Sequence, residues 1–251
     1  MTKLIWDEEA KRTYETGTRN GVLYPKNNDG TYANGVAWNG LTAVTESPSG
    51  AEETKLYADD IKYLSLRSAE EFGGTIEAYT YPDEWEECDG SANLAEGVTI
   101  GQQPRKGFGF CYRTVIGNAA VGDTYGYKLH IVYNAMASPS EKSYATINDS
   151  PEAITFSWEF STTPTSFGDN LKPSALLTID STKIDSEIRG DIEDMLYGTA
   201  DSEPTLPTPA QILQLVAGET LTPPPAQGDG QSGGQSGGQS GGQSGGQSGG
   251  N

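Results

Sequence analysis

Few residues of this 251-residue chain have the types and spacing that catalysis requires. His130 is the only histidine, so any Ser-His or Cys-His nucleophile pair would have to use it as the base. Because it alternates with apolar neighbours, we expect an exposed histidine with a structural role. The segment 230–234 matches the Gly-x-Ser-x-Gly pattern of a nucleophile elbow, but no strand precedes it and no histidine follows it. We therefore predict no catalytic residues.

A run of acidic side chains around Trp85 is the second group with chemical potential. Its members are Asp83, Glu84, Glu86, Glu87 and Asp89. Paired carboxylates hydrolyse glycosides and clustered ones bind calcium, but the run lacks the spacing of an EF-hand loop. A glycosidase pair can be recognised only by its separation in space. We interpret the run as a solvated acidic loop and keep a carboxylate glycoside hydrolase as an alternative.

No pattern in the chain indicates a metal or another cofactor. Cys88 and Cys111 lie 23 residues apart without Cys-x-x-Cys or Cys/His ligand spacing, so we expect two reduced thiols and no metal site. Neither Gly-x-Gly-x-x-Gly nor a Gly-Lys-Ser/Thr ending follows a predicted strand, so nucleotide binding has no support.

Alternation of apolar and polar residues predicts a mainly β fold, a sandwich or a barrel. The clearest strand is 154–160, where Ile154, Phe156, Trp158 and Phe160 share one face. Similar alternation or β-branched content predicts strands at 41–47, 62–67, 75–81, 108–112, 127–133 and 174–180. Turn-rich segments separate these strands.

Two segments have the period of a helix instead. The apolar side chains of the first are Ile184, Ile188, Ile192 and Leu196. They recur every four residues, and Gly198 is placed to end the helix, which should pack on the sheet. A shorter helix begins at Thr208-Pro209 and ends before Gly218. Because about ten residues are marginal as an isolated helix, it needs a docking surface on its own domain or on a neighbouring subunit.

Composition divides the chain into three parts: a β-rich domain at 1–200, a Pro-containing extension with a short helix at 201–222, and a tail at 223–251. The tail begins with three prolines and continues as five Gln-Ser-Gly-Gly units, a composition that cannot bury a core. We expect the tail to be flexible. No signal peptide and no 18-residue apolar stretch is visible, so we expect a product that starts in the cytoplasm and has no membrane anchor.

The chain is strongly acidic, with 35 Asp and Glu against 16 Lys and Arg and a formal net charge of −19. Residues 46–96 hold 14 of the acids and only three bases, Lys55, Lys62 and Arg67. Such a surface repels DNA phosphates and anionic lipid heads. Solubility alone is the simplest explanation of this charge.

An ordered series of short segments is more specific than composition. It starts with Gly21-Val22-Leu23-Tyr24-Pro25 and Gly35-Val36-Ala37-Trp38-Asn39-Gly40-Leu41, and continues through 46–52, 56–63, 74–79, 88–90, 107–114, 138–142 and 158–160. This series resembles the major tail protein, or tail tube protein, of long-tailed bacteriophages. The resemblance covers roughly residues 17 to 200 and excludes the Gln-Ser-Gly-Gly tail.

The resemblance implies a structural virion protein without catalytic, cofactor or metal residues. Its fold would be a tail-tube β-sandwich or barrel with a flanking α-helix, extended loops and arms. Copies would form hexameric rings that stack into the hollow tail tube, the conduit for DNA ejection. The implied partners are other copies, tape measure and tail terminator proteins, and DNA that passes without specific binding. The implied location is the virion tail, after synthesis in the host cytoplasm.

The acidic stretch supplies the candidate functional residues. We expect them to line the lumen or an inter-subunit loop, where negative charge would let DNA slide without sticking. The candidates are Glu46, Glu52, Glu53, Asp59, Asp60, Glu70, Glu71 and Glu77. Outward-facing charge without a specific role is the simpler alternative for each of them.

A secreted or surface carbohydrate-binding or adhesin module is the alternative function. Such a module can also be acidic, aromatic and rich in β-structure, with Trp38 or Trp85 exposed as a platform for a sugar. The missing export signal counts against it.

Overall fold

Fourteen strands and three α-helices make up the computed structural model, which describes residues 4–147, 149, 152–168 and 171–218. The strands are β1 (Thr13–Pro25), β2 (Val36–Trp38), β3 (Leu41–Glu46), β4 (Ser49–Gly50), β5 (Glu53–Ala58), β6 (Ile61–Arg67), β7 (Glu70–Glu71), β8 (Gly73–Ala78), β9 (Ala92–Ala95), β10 (Val98–Ile100), β11 (Phe108–Asn118), β12 (Gly122–Ala137), β13 (Phe156–Thr162) and β14 (Leu176–Asp180). The helices are α1 (Trp85–Asp89), α2 (Ser186–Tyr197) and α3 (Pro209–Val216), and a short 3-10 helix spans Glu9–Lys11.

One eight-stranded antiparallel sheet carries the fold. Its strand order is β2-β1-β11-β12-β13-β8-β3, and β14 also pairs with β12. Three two-stranded pairs stand apart from it, namely β4 with β7, β5 with β6, and β9 with β10. The mainly β architecture with a few helices confirms the coarse prediction from the sequence.

The large sheet folds over to enclose an aromatic core. Trp38 on β2 and Trp158 on β13 are four strand positions apart, which would be about 19 Å in a flat sheet. Their ring centroids are only 5.7 Å apart, so the two ends of the sheet must face each other. Trp85 from α1 fills the space between them, 4.7 Å from the Trp38 ring and 5.4 Å from the Trp158 ring.

A second apolar core lies on the outer face of the same sheet. Leu129, Ile131 and Tyr133 of β12 point away from the aromatic core and are buried with Ile192 of α2 and Ile212 of α3. Since successive side chains of a strand point to opposite faces, the intervening residues of β12 face the aromatic core. The central strands are therefore covered on both sides, by the folded sheet and by the helices.

Arg113 fixes α2 to the sheet. Its guanidinium lies between the rings of Tyr127 and Tyr197, 4.3 and 4.7 Å from their centroids. One of its Nη atoms is 2.9 Å from a carboxylate oxygen of Glu193 on α2. Stacking on aromatic faces and an ion pair are contacts that the planar guanidinium makes better than a lysine. Asp185 begins the helix by accepting a hydrogen bond from the backbone N–H of Glu187.

The sequence analysis expected α3 to dock either on its own domain or on a neighbouring subunit. In the structure it docks on its own domain. Ile212 and Leu215 are buried in the outer core, and Thr208 forms a capping box with Gln211 at the start of the helix. Just before it, the carbonyl of Pro207 accepts a hydrogen bond of 3.0 Å from the Tyr133 hydroxyl. The repeat tail predicted at 223–251 lies outside the described residues.

The predicted strands and helices are present, with ends that differ by a few residues. The sequence analysis missed α1 and the strands β1, β2, β4, β5, β7, β9 and β10. In β1, residues 13–20 are mostly polar or glycine and do not alternate. Only the pairing with β11 defines this half of β1 as a strand. No described helix is both long enough and apolar enough to cross a membrane.

Two neighbouring residues of α3 test its docking. Ile212→Ala removes a buried side chain and should lower the free energy of unfolding by about 2–5 kcal/mol. Leu213→Ala removes a side chain that is 40% exposed and should cost less than about 1 kcal/mol. Urea titration followed by tryptophan fluorescence measures both values. Equal costs would contradict the docked position of the helix.

Candidate functional site

A long β-hairpin projects from the edge of the large sheet. The chain leaves the sheet after Glu46, runs outward through β4 and β5, turns, and returns through β6 and β7 to enter β8. Every residue from 47 to 71 is exposed. We call residues 47–71 the arm. It is the largest part of the described chain that has no contact with either core.

The turn at the tip of the arm has a defined geometry. Asp59 and Asp60 connect Ala58 to Ile61, and their φ angles are +50° and +63°. Two consecutive residues with positive φ form a type I′ turn, whose twist matches that of the flanking strands. Aspartate tolerates the left-handed region better than most residues, so the sequence is compatible with this turn.

The two faces of the arm differ in polarity. Cross-strand pairing places Leu56 opposite Leu64, Thr54 opposite Leu66 and Ala58 opposite Ile61. The side chains of these pairs share one face, which is apolar apart from Thr54. The other face carries Glu53, Lys55, Tyr57, Lys62, Ser65 and Arg67. On that polar face, Lys62 lies 2.7 Å from the carboxylate of Glu53 and holds its pKa below the ordinary value.

A β-bulge keeps the apolar face continuous. Leu56 pairs with Leu64 while Tyr57 pairs with Lys62, so Tyr63 is the extra residue on β6. Without this insertion Ile61 and Leu64, three positions apart, would point to opposite faces. With it, four large apolar side chains line one face. Their exposed fractions are 65% for Ile61, 55% for Leu66, 42% for Leu56 and 36% for Leu64.

A second exposed surface is the outer face of β3, β8 and β13, which the helices do not cover. In β8, buried Gly74, Ile76 and Ala78 alternate with half-buried Gly73, Thr75 and Glu77. The residues of β3 and β13 that pair with Thr75 and Glu77 face outward on the same side of the sheet. We call this surface the open face; it consists of Ala43, Thr45, Thr75, Glu77, Ser157 and Glu159. It carries two carboxylates and no basic side chain.

The structure separates the eight predicted acids into three places. The arm carries Glu52, Glu53, Asp59, Asp60, Glu70 and Glu71, and the open face carries Glu77. Glu159 belongs to the open face as well, and the sequence analysis missed it although its alternation with Trp158 and Phe160 was visible. Glu46 alone points elsewhere, toward the end of the aromatic core.

Glu46 belongs to a small polar cluster at the root of the arm. Tyr112 donates a hydrogen bond of 2.6 Å from its hydroxyl to Glu46 Oε1. His130 Nδ1 is 3.1 Å from the same oxygen, close enough for an ion pair but not aligned for a hydrogen bond. The imidazole stacks on the Tyr112 ring at 4.6 Å, and its Nε2 is 3.0 Å from Thr114 Oγ1.

The expectation of an exposed histidine is wrong, because His130 is only 8% exposed. The alternation in β12 was read correctly, but the face opposite Leu129 and Ile131 is also covered, by the folded half of the sheet. Burial lowers the pKa of His130. The carboxylates of Glu46 and Glu15 raise this pKa, and the positive charge of Lys128 lowers it further. A neutral imidazole that accepts a hydrogen bond from Thr114 and keeps its proton on Nδ1 fits this position.

The structure also places the residues on which the alternative functions were based. The solvated-loop prediction is wrong for Glu86, Glu87 and Asp89, which lie in α1, where Asp89 pairs with Lys142 and Glu87 with Lys106. Asp83 and Glu84 lie in the exposed turn before the helix. Trp85 is fully buried and Trp38 is 4% exposed, so neither offers a platform for a sugar. In the described residues, no three His, Cys, Asp or Glu are placed to hold a metal ion.

Both cysteines are unpaired and buried, which confirms the prediction of reduced thiols. Burial raises the pKa of each thiol to about 12, so neither forms a reactive thiolate near neutral pH.

Neither protein-family models nor the curated proteins contain a match to this chain. The arm and the open face are the candidate functional surfaces. The arm exposes four large apolar side chains on one face, and exposed apolar patches mark sites of interaction with other molecules.

The buried histidine predicts a dependence of stability on pH. As the pH falls below the ordinary histidine pKa of 6.5, the unfolded chain takes up this proton more readily than the folded one. The free energy of unfolding should therefore decrease, by at most about 1.4 kcal/mol per pH unit from this group. Urea titrations between pH 7.5 and 5 should show a smaller decrease for His130→Gln than for the original protein. An equal decrease in both would contradict the assignment.

Proposed function

We propose that this chain is a tail tube subunit of a long-tailed bacteriophage, which self-assembles into hexameric rings stacked as a tube. The observation that carries the proposal is the arm, a projecting hairpin with one apolar face. Supporting features are the acidic open face and the order of the short segments that resemble tail tube proteins. Tape measure and tail terminator proteins are the further partners, and the virion tail is the location.

The apolar face of the arm supports self-assembly because a single chain leaves it in water. Burial of apolar surface is worth about 25 cal/mol per Å², so four uncovered side chains favour association with another molecule. Between Ser47 and Asp59 the extended chain can span roughly 40 Å. An element of this reach contacts a neighbouring subunit beyond the body of its own domain.

The ends of the large sheet supply a second route to assembly. Strand β3 ends the hydrogen-bonded order, and β14 pairs with only one neighbour. Edge strands pair readily with other chains, and a closed ring of subunits would leave none of these edges free. In the proposed tube, edge strands of neighbouring subunits join the sheets into one barrel.

The open face is suited to the inner wall of such a tube. Hydroxyl groups and carboxylates dominate it, and it lacks Lys and Arg, the residues that neutralise phosphates. A duplex that passes such a wall is repelled rather than bound, so it leaves quickly. Glu77 and Glu159 are the charged members of this wall in the proposal.

The apolar face of the arm is tested by a matched pair of double variants. Leu64→Thr with Leu66→Thr makes that face polar, whereas Lys55→Thr with Arg67→Thr changes the opposite face. Because all four residues are exposed, both proteins should keep the unfolding free energy of the original within about 0.5 kcal/mol. Sedimentation and negative-stain electron microscopy should show rings or tubes for the original and for the second variant, and monomers for the first.

The proposal would be contradicted by an original protein that remains monomeric at all concentrations. Assembly that is equally strong in both variants would show that the apolar face has no role.

The open face is tested with DNA. Glu77→Lys with Glu159→Lys changes the net charge of the proposed inner wall by +4, because two negative charges are replaced by two positive ones. Asp191→Lys with Asp194→Lys makes the same change on the exposed side of α2. We assemble each protein with a short duplex at low salt and then add nuclease. The first variant should protect the duplex inside the tube. The original protein and the α2 variant should leave it sensitive, and protection by the α2 variant would contradict the assignment.

A further inference from the structure

An open recess of about 450 Å³ lies beside α1, on a different part of the domain from the arm. The residues that matter to its chemistry are Asp89, Gly90, Ser91, Arg105, Ser140 and Lys142. It is formed where the β9–β10 hairpin returns to the domain, with the backbone of Gln103 hydrogen-bonded to the carbonyl of Gly90.

Arg105 is the distinctive residue of the recess. Its side chain lies across Gly90, where a Cβ would come within 3.1 Å of the guanidinium carbon. Gly90 has a φ of +84° and ends α1, so both its conformation and the close approach of Arg105 favour glycine. Arg105 Nε is buried and has no hydrogen-bond partner. Because Nε is buried, a second molecule can reach only the rest of the guanidinium, whose charge is not paired with a carboxylate of the described residues.

Basic side chains are few in this acidic protein, and half of them are already paired with carboxylates. Eight of the 16 Lys and Arg side chains form ion pairs with carboxylates of the described chain. In the recess Lys142 is paired with Asp89, so Lys142 contributes little free charge. Arg105 is not paired with any carboxylate of the described residues. The recess therefore has an excess of positive charge on an acidic molecule.

The complementary group is present on the same chain. Asp59 and Asp60 form the tip of the arm, and neither carboxylate is paired with a cation among the described residues. A two-residue turn is the narrowest end that a hairpin can have, and its strands are only about 5 Å apart. Arginine binds carboxylates with two parallel hydrogen bonds, which gives the contact both strength and direction.

We propose that the Asp59–Asp60 tip of one copy binds in the Arg105 recess of a second copy. This inference rests on the proposed self-assembly and identifies the two surfaces that meet in it. Because the tip and the recess are different surfaces, each copy has one of each free after a contact forms. Such a heterologous contact propagates from copy to copy and does not end with a dimer.

Cross-linking between two single-cysteine variants tests the contact directly. Ala58→Cys places a thiol beside the tip without removing either aspartate, and Ser91→Cys places one in the recess. The native cysteines are fully buried and do not compete for a short bis-maleimide. An equimolar mixture should give a covalent heterodimer. A mixture of Ala58→Cys with Lys172→Cys, at an exposed site outside the recess, should give none.

Charge reversal tests the chemistry of the contact. Adding Arg105→Glu to the Ser91→Cys protein should reduce the yield of the heterodimer about tenfold or more. Adding Asp60→Lys to the Ala58→Cys protein should do the same, and a mixture of the two reversed proteins should restore the yield. Restoration would exclude a loss caused by misfolding of either variant.

The outcomes separate this inference from the proposed function. Rings or tubes without the heterodimer, or a heterodimer that survives Arg105→Glu alone, would overturn the contact and leave the tube proposal intact. An original protein that neither assembles nor cross-links would overturn both. The free amino acid aspartate at high concentration should also reduce the yield if the recess recognises a carboxylate.

Discussion

The need to cover both faces of the central strands determines the rest of this structure. Strands β11 and β12 carry apolar side chains on both sides, so a single sheet in water would expose one of them. The chain covers one side by folding its own sheet and the other side by docking α2 and α3. Once these layers are used, no element of the described residues remains to cover the outer face of β3, β8 and β13 or the arm. The arm and the open face are therefore the surfaces that take no part in packing the two cores.

Much of the fold could be predicted from local patterns in the sequence. The alternation in β13 and the four-residue period in α2 predict the correct elements, because each element has one buried side. The same reasoning failed for His130, since a strand that is covered on both faces no longer has an exposed side. The exposed half of β1 carries no alternation and exists as a strand only through its pairing with β11. Contacts that are distant in sequence decided both cases.

The surfaces proposed to be functional were predicted only in outline. Charge counting located the acidic stretch, and six of the eight acids chosen from it lie on the arm. The amphipathic character of the arm was not visible, because it depends on a register shift at Tyr63 that no local pattern reveals. Arg105 was also missed, since a lone basic residue in a loop becomes notable only when its surroundings in space are known. The spacing of apolar residues along the chain predicts strands and helices. Which surfaces are complementary to each other can be seen only in the three-dimensional structure.

In the proposed assembly, the arm would affect how quickly subunits associate. A two-stranded hairpin without a third strand is only marginally stable in water, so a free subunit retains conformational entropy in this segment. Docking removes that entropy, which makes the first encounter between two subunits unfavourable. In the proposed tube, a subunit that joins an existing ring would gain several contacts for the same entropic cost. The arm would therefore favour elongation over spontaneous nucleation, so that many subunits would accumulate before assembly begins at a defined starting point.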